Sequence, residues 1–210
     1  MEKREYKYRK RGKKMVFQAA GFIILLVFYG CYFTKMILQK KKGIQTDQIG
    51  KGKTGFVKGI EITMKIVTIL VPAAEFVSII WKLSLLPLWA RVLGVVFGIC
   101  GVAVFVCAVI TMQDNWRAGV SETDKTELVT KGIYQISRNP AFLGFDLVYI
   151  GILLMFFNRV LFGVSVLAIL MLHLQIVNVE EDFLIVTFGD SYLEYRKKVC
   201  RYFGRKIGRK

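Results

Sequence analysis

Residues 141–179 form an apolar stretch broken chiefly by Asp146, Asn158-Arg159, His173, Gln175 and Asn178. A helix that crosses a bilayer needs about 20 residues. The stretch therefore holds two such helices, with Asn158-Arg159 at the turn between them. A hairpin of this kind returns Glu180 and Glu181 to the membrane face that carries the polar block Leu128-Val129-Thr130-Lys131-Gly132-Ile133-Tyr134-Gln135-Ile136-Ser137-Arg138-Asn139-Pro140. Two carboxylates, an arginine and a tyrosine are thus gathered at one face, which is the pattern of a site rather than of a connecting loop.

The rest of the chain agrees with a membrane protein. Of its 210 residues 54% are hydrophobic and the mean hydropathy is +0.46, above the roughly 45–50% apolar content of soluble domains. Apolar runs cover 15–38, 66–81, 92–112, 142–157 and 160–177. They predict an all-α fold, a polytopic integral membrane helical bundle of about five transmembrane helices with a C-terminal helical tail. The second run is short and contains Pro72 and Glu75. Basic residues precede the first run as in a secretory leader, but its apolar part is longer than a leader core and lacks a small-residue cleavage site, which predicts a retained span. The expected organisation is a single membrane domain, 1–210, with three spans in 1–112 and the polar block, hairpin and tail in 113–210.

Charge distribution predicts orientation. The net charge is +16. Five spans place 20 Lys and Arg residues on the face of the polar block and 11 on the other, so the positive-inside rule puts the block and the tail in the cytoplasm. The basic segment 2–14 is then left outside, unless the first or second run is re-entrant or interfacial. The basic ends are expected to attract anionic membrane lipids, at roughly 1 kcal/mol per Lys or Arg. Nucleic-acid binding would leave five apolar runs unexplained. Cys31, Cys100, Cys107 and Cys200 have no ligand spacing, and His173 is the sole histidine, so neither a disulfide framework nor a histidine-based zinc site is expected.

Gly94, Gly98 and Gly101 recur at helical spacing, which suits close helix packing. The segment 50–55, Gly-Lys-Gly-Lys-Thr-Gly, lacks the spacing of a phosphate loop and reads as a basic connector. Past the Glu pair, Gly189 stands where a helix ends at its C′ position. Residues 190–199 then read as a second short helix with aromatic and basic faces, suited to the membrane interface.

Pro140 begins the fourth span at a helix N1 position, with Asn139 as N-cap. A helix N-terminus offers free N–H groups to an anion, and the Glu pair offers carboxylates to a cation. A ligand with a carboxylate and an ammonium, such as an amino-acid moiety or the methionine end of S-adenosylmethionine, matches both.

The motif Leu-Val-Thr-x-Gly-x-Tyr-x-x-x-Arg-x-Pro at 128–140 precedes the hairpin. After it comes Glu-Glu-x-x-Leu-x-x-x-Phe-Gly-x-x-Tyr-x-x-Tyr-x-x-x-Val-x-Arg at 180–201. This order resembles the isoprenylcysteine carboxyl methyltransferase and phospholipid methyltransferase superfamily over roughly 116–202. The resemblance implies a membrane methyltransferase that binds S-adenosylmethionine on the cytoplasmic side and modifies a lipid or lipidated substrate. It implies that Glu127, Leu128, Val129 and Tyr134 contact the cofactor and that Asn139, Pro140, Ala141 and Phe142 form its corner. Glu180 takes its ammonium group, while Arg138 and Glu181 brace the site. Three positions depart from the family pattern. Asn139 replaces a usual histidine, Phe142 a usual tyrosine, and 174–177 lacks the arginine that prenylcysteine enzymes place before the Glu pair.

Methyl transfer is an in-line displacement that demands alignment. A carboxylate acceptor needs no base, whereas an amine does, and Asp146 in the fourth span is the candidate catalytic residue for that case. Glu75 is a weaker candidate, and His173 reads as a packed or hydrogen-bonded span residue. Two competing readings are an NADPH-dependent membrane reductase of the sterol-reductase type, which shares an Arg-His-Pro corner but lacks the second motif, and a non-catalytic member of the superfamily.

Overall fold

The computed structural model describes residues 2–50, 53–117 and 127–206. Lys51 and Gly52 of the basic connector and residues 207–210 of the basic tail lie outside the described residues. Six α-helices follow in order: α1 (Glu2–Lys41), α2 (Gly55–Ile80), α3 (Leu88–Met112), α4 (Pro140–Met155), α5 (Arg159–Gln175) and α6 (Glu181–Lys198). No strand forms among the described residues; an isolated bridge joins Val199 and Arg205. Segments long and apolar enough to cross a membrane are Met15–Lys41, Gly55–Ile80, Leu88–Asn115 and Arg159–Lys198. With the shorter apolar α4 they make an all-α polytopic membrane bundle.

Contacts between connectors show that the helices alternate in direction. At one end, Gln39 Nε2 donates to the Trp116 carbonyl at 2.8 Å and Lys42 Nζ to Asp114 at 2.7 Å, which ties the end of α1 to the end of α3. At the other end, Gln18 Nε2 donates to the Ile79 carbonyl at 3.2 Å. There too, Asn158 caps α5 by accepting from Leu161 N at 3.0 Å and donates to Ser78 Oγ at 2.8 Å. The hairpin turn therefore falls at Asn158-Arg159, fixed to the end of α2.

The second span is longer than its hydropathy suggests. The apolar run covers 66–81, yet α2 begins at Gly55 and passes through Pro72. Its added turns carry polar groups that find internal partners. Glu61 is fully buried, accepting from Gly50 N at 2.5 Å and from Gln175 Nε2 at 3.4 Å, and Lys65 pairs with Asp47 at 2.7 Å. Because these groups are satisfied inside the protein, the helix continues where hydropathy alone would end it. Both α1 and α2 are unbroken helices that contain segments long and apolar enough to cross a membrane.

Helices α3 and α4 pack most closely. A Cβ on Gly94 would stand 2.6 Å from the Gly151 carbonyl oxygen, one on Gly101 2.8 Å from that of Gly144, and one on Gly151 2.5 Å from Gly98 N. Only hydrogen fits there, and the backbones approach accordingly. Beside this contact Phe28, Phe105 and Phe145 form an aromatic core, with centroids 4.7–5.3 Å apart. The packing fixes the position of the α4 N-terminus. At 16 residues, α4 is about 24 Å long, shorter than the roughly 30 Å hydrocarbon core, and it starts at a buried Pro140.

A π-helical turn, Ile176–Glu180, joins α5 to α6. Gly189, at φ 50° and ψ −127°, divides α6 into two short helices, at the residue the sequence marks as a helix end. After α6 the chain folds back across the polar block.

Candidate cofactor-binding site

The polar block enters through a 3-10 turn, Gly132–Gln135, that buries Tyr134. Its backbone is held by the returning tail: Arg138 N donates to the Cys200 carbonyl at 3.1 Å and Gly204 N to that of Ile136 at 2.7 Å. Asn139 occupies the N-cap position of α4 but makes no side-chain cap. Its Nδ2 donates to the Arg201 carbonyl at 3.2 Å instead, so the expected capping role is replaced by a tether to the tail. With Asn139 turned away, the start of α4 stays open. The first N–H groups of a helix have no intrahelical partner, and Pro140 has none to offer. The N–H groups of Ala141 and Phe142 have no intrahelical partner.

Those residues line a cavity of about 130 Å³. Glu127, Leu128, Val129, Tyr134, Asn139, Ala141, Phe142 and Glu180 all border it, as does Arg138, while Pro140 is buried behind them. Every cofactor residue expected from the sequence except Pro140 is thus brought to one wall. The helix opening and Glu180 are held on the same cavity, an acceptor-binding and a donor-binding group side by side.

The two glutamates have different surroundings. The π turn adds a residue to the helical repeat, and Glu180 borders the cavity while Glu181 does not. Glu181 is buried and receives Arg138 Nη2 at 3.0 Å and Arg201 through Nε at 2.8 Å and Nη2 at 3.1 Å. Arg138 Nη1 also donates to the Tyr192 hydroxyl at 2.8 Å. The carboxylate of Glu181, hydrogen-bonded to it, raises the affinity of the Arg201 guanidinium for its proton. Arg138 and Glu181 are therefore joined in one network with Arg201, which Glu180 does not enter.

Tyr192 and Tyr195 of α6 also border the cavity. The Tyr195 hydroxyl donates to the Tyr134 carbonyl at 2.6 Å. Their i, i+3 spacing puts both on one helix face, a signal present in the Phe-Gly-x-x-Tyr-x-x-Tyr motif to which the sequence reading attached no role. Burial raises the pKa of the Tyr134 phenol, which keeps it neutral and able to donate. Phe183, Phe188 and Trp116 complete an aromatic surround.

A second, larger cleft of about 570 Å³ opens between α1, α2 and α4. It is mostly apolar, with Tyr32, Phe33, Ile69 and Phe145 among its walls, and shares Trp116, Arg117, Ala141 and Phe142 with the first cavity. Helix α2 packs mainly on α5 and only lightly on α1, which leaves this cleft between them. Asp146 lines neither space; its Oδ1 is buried without a hydrogen bond. His173 is a hydrogen-bonded span residue, its Nδ1 2.6 Å from the Tyr202 hydroxyl. Among the described residues no group of three or more His, Cys, Asp or Glu is arranged to hold a metal.

Comparison with known proteins places this geometry in context. Residues 89–191 match the family model for phospholipid methyltransferase. The chain is 32% identical over 113 residues to the protein-S-isoprenylcysteine O-methyltransferase of Xenopus laevis, covering 53% of this chain and 39% of that protein. It is 32% identical over 114 residues to the enzyme of the same name from Homo sapiens, covering 53% and 40%. With that of Schizosaccharomyces pombe it shares 39% identity over 72 residues, covering 34% and 30%. The matches therefore take in well under half the length of each of these relatives.

Proposed function

We propose, from its similarity to the phospholipid methyltransferase family model and to the protein-S-isoprenylcysteine O-methyltransferases, that the chain is a member of that superfamily, a membrane methyltransferase that uses S-adenosylmethionine to methylate a lipophilic acceptor. The observation that carries this reading is the shared wall at Ala141 and Phe142, where the polar cavity meets the apolar cleft.

The residues present fit the methionine end of the cofactor. Free N–H groups at the start of α4 receive its carboxylate, and Glu180 receives its ammonium. At about 130 Å³ the cavity suits that end alone, and the rim at Glu127, Leu128 and Val129 supports the remainder. When bound, the cofactor supplies an electrophilic methyl group on a sulfonium. The protein's part is alignment: the Arg138–Glu181–Arg201 network keeps the α4 corner and α6 in register, and the aromatic surround excludes water. An acceptor lying in the cleft brings its nucleophilic atom past Phe142. Since Asp146 lines neither space, an oxygen acid that needs no base is the favoured acceptor. That agrees with the O-methyl transfer named for the relatives. We assign the cavity to the cytoplasmic face on the Lys and Arg count, with the basic C-terminal tail resting on anionic lipid.

The test is to incubate membranes containing the protein with methyl-labelled cofactor and extract the lipids. A labelled lipid that disappears with Glu180→Ala supports the proposal. No label in lipid or lipidated protein, together with stabilisation by NADPH and none by S-adenosylhomocysteine, would sink it in favour of a reductase.

A further inference from the structure

Deep in the bundle, Glu75 is fully buried and neither of its carboxyl oxygens has a hydrogen-bond partner. It lies on α2 about 15 Å beyond Lys65, at 1.5 Å per residue, and so far from the polar cavity. The hydroxyls of Tyr29 on α1 and Tyr149 on α4 are also buried; they interact with one another, and both tyrosines lie within electrostatic reach of Glu75. Polar groups buried in this way are nearly always paired, and inside a membrane water does not compensate for a missing partner. Here both carboxyl oxygens of Glu75 are left without a partner, in reach of two phenols from neighbouring helices.

Glu75 and Tyr149 do not line the apolar cleft themselves, but their neighbours do: Tyr29 lines it, as do Pro72, less than one turn before Glu75, and Phe145, whose ring lies 5.9 Å from that of Tyr149. Glu75 and Tyr149 are therefore reached from the cleft past Tyr29. Pro72 has no N–H, so the Thr68 carbonyl on the cleft wall lacks its intrahelical donor. A wholly hydrocarbon occupant would leave the Glu75 carboxyl and the Thr68 carbonyl unsatisfied. An occupant carrying one oxygen function at this depth would satisfy several at once, since phenols donate to a carbonyl and a carboxyl accepts from a hydroxyl.

We propose that Glu75, Tyr29 and Tyr149 form a recognition site for a hydroxyl or carbonyl group on the chain of a lipid seated in the cleft. The site would make the cleft selective for oxygenated over plain hydrocarbon chains. It does not rest on the methyl-transfer reading, because binding alone reports it.

The full chain, purified in detergent, is heated with dodecan-1-ol, dodecan-2-one or dodecane, and the unfolding midpoint is measured. The alcohol or the ketone is expected to raise the midpoint by roughly 2–4 °C more than dodecane. Glu75→Met and the pair Tyr29→Phe with Tyr149→Phe should each abolish that difference, with Glu75→Met at least as stable as wild type when no probe is present. Equal shifts from all three probes in the wild type overturn the proposal, as does a difference that survives in the variants. If Glu75→Met does not fold, the tyrosine pair decides: a retained difference overturns the site and a lost one supports it.

Discussion

Arg138 Nη2 stands 3.0 Å from Glu181 Oε1, and neither side chain is more than 5% exposed. The pair joins the entry of α4 to the start of α6 across the whole hairpin. Removing one member leaves a buried charge uncompensated, which costs about 3–5 kcal/mol. Glu181→Gln is expected to lower stability by that order in denaturant melts, and Arg138→Met by less, because Glu181 keeps both bonds from Arg201. The double variant Arg138→Met with Glu181→Leu should recover part of the loss of Glu181→Gln, because the buried Arg138 charge is gone and Arg201, partly exposed, can turn to solvent. Additive losses would show that the two do not act as a pair.

Glu180 should behave differently from its neighbour. It borders the cavity and stands outside the Glu181 network. Glu180→Gln should therefore weaken S-adenosylhomocysteine binding by about 10- to 100-fold, the equivalent of one charge-assisted hydrogen bond of roughly 1.5–3 kcal/mol. Stability should change much less than in Glu181→Gln. Calorimetric titration of both variants checks the contrast.

The glycine contact between α3 and α4 gives a steric prediction. At Gly151 a methyl group would meet Gly98 N at 2.5 Å, while at Gly163 nothing lies within 4 Å. Gly151→Ala should destabilise by about 1–3 kcal/mol through overpacking. Gly163→Ala should be neutral or stabilise by up to about 1 kcal/mol, as expected for glycine in a helix. Equal effects on the unfolding midpoint would contradict the packing described here.

Asn158 holds the turn of the hairpin by capping α5 and binding Ser78. Asn158→Ala should cost about 0.5–2 kcal/mol, and Asn158→Asp, which keeps the cap acceptor but loses the donor to Ser78, should fall between. Thermal melts of the two variants separate the cap from the tether.

Features set by local pattern were legible in the sequence. The hairpin turn at Asn158, the break at Gly189 and the close packing of Gly94, Gly98 and Gly101 follow from turn chemistry and side-chain size. The polar block and Glu180 could be brought together from hairpin length alone. What depended on distant partners was hidden. The added turns of α2 rest on Glu61 meeting Gly50 and Gln175. Asn139 abandons its cap for the Arg201 carbonyl, and Tyr195 reaches the Tyr134 carbonyl; the partners in these bonds are 62 and 61 residues apart. Asp146 drew notice as an ionisable residue in a span, but hydropathy does not reveal which face of α4 meets a cavity. The cleft was equally invisible, since it arises from which helices decline to touch.

The tail that folds back over the polar block has a consequence for biosynthesis. Chains emerge N-terminus first, so Ile136, Arg138 and Asn139 enter the membrane before Cys200, Arg201 and Gly204 exist to bind them. Throughout that interval the α4 corner lacks its tethers and Glu181 lacks one of its two closest arginines. The last segment made is thus the latch of the site. A nascent chain halted before Cys200 would carry the hairpin and every cavity-lining residue, yet would lack the tethers that hold the corner in place.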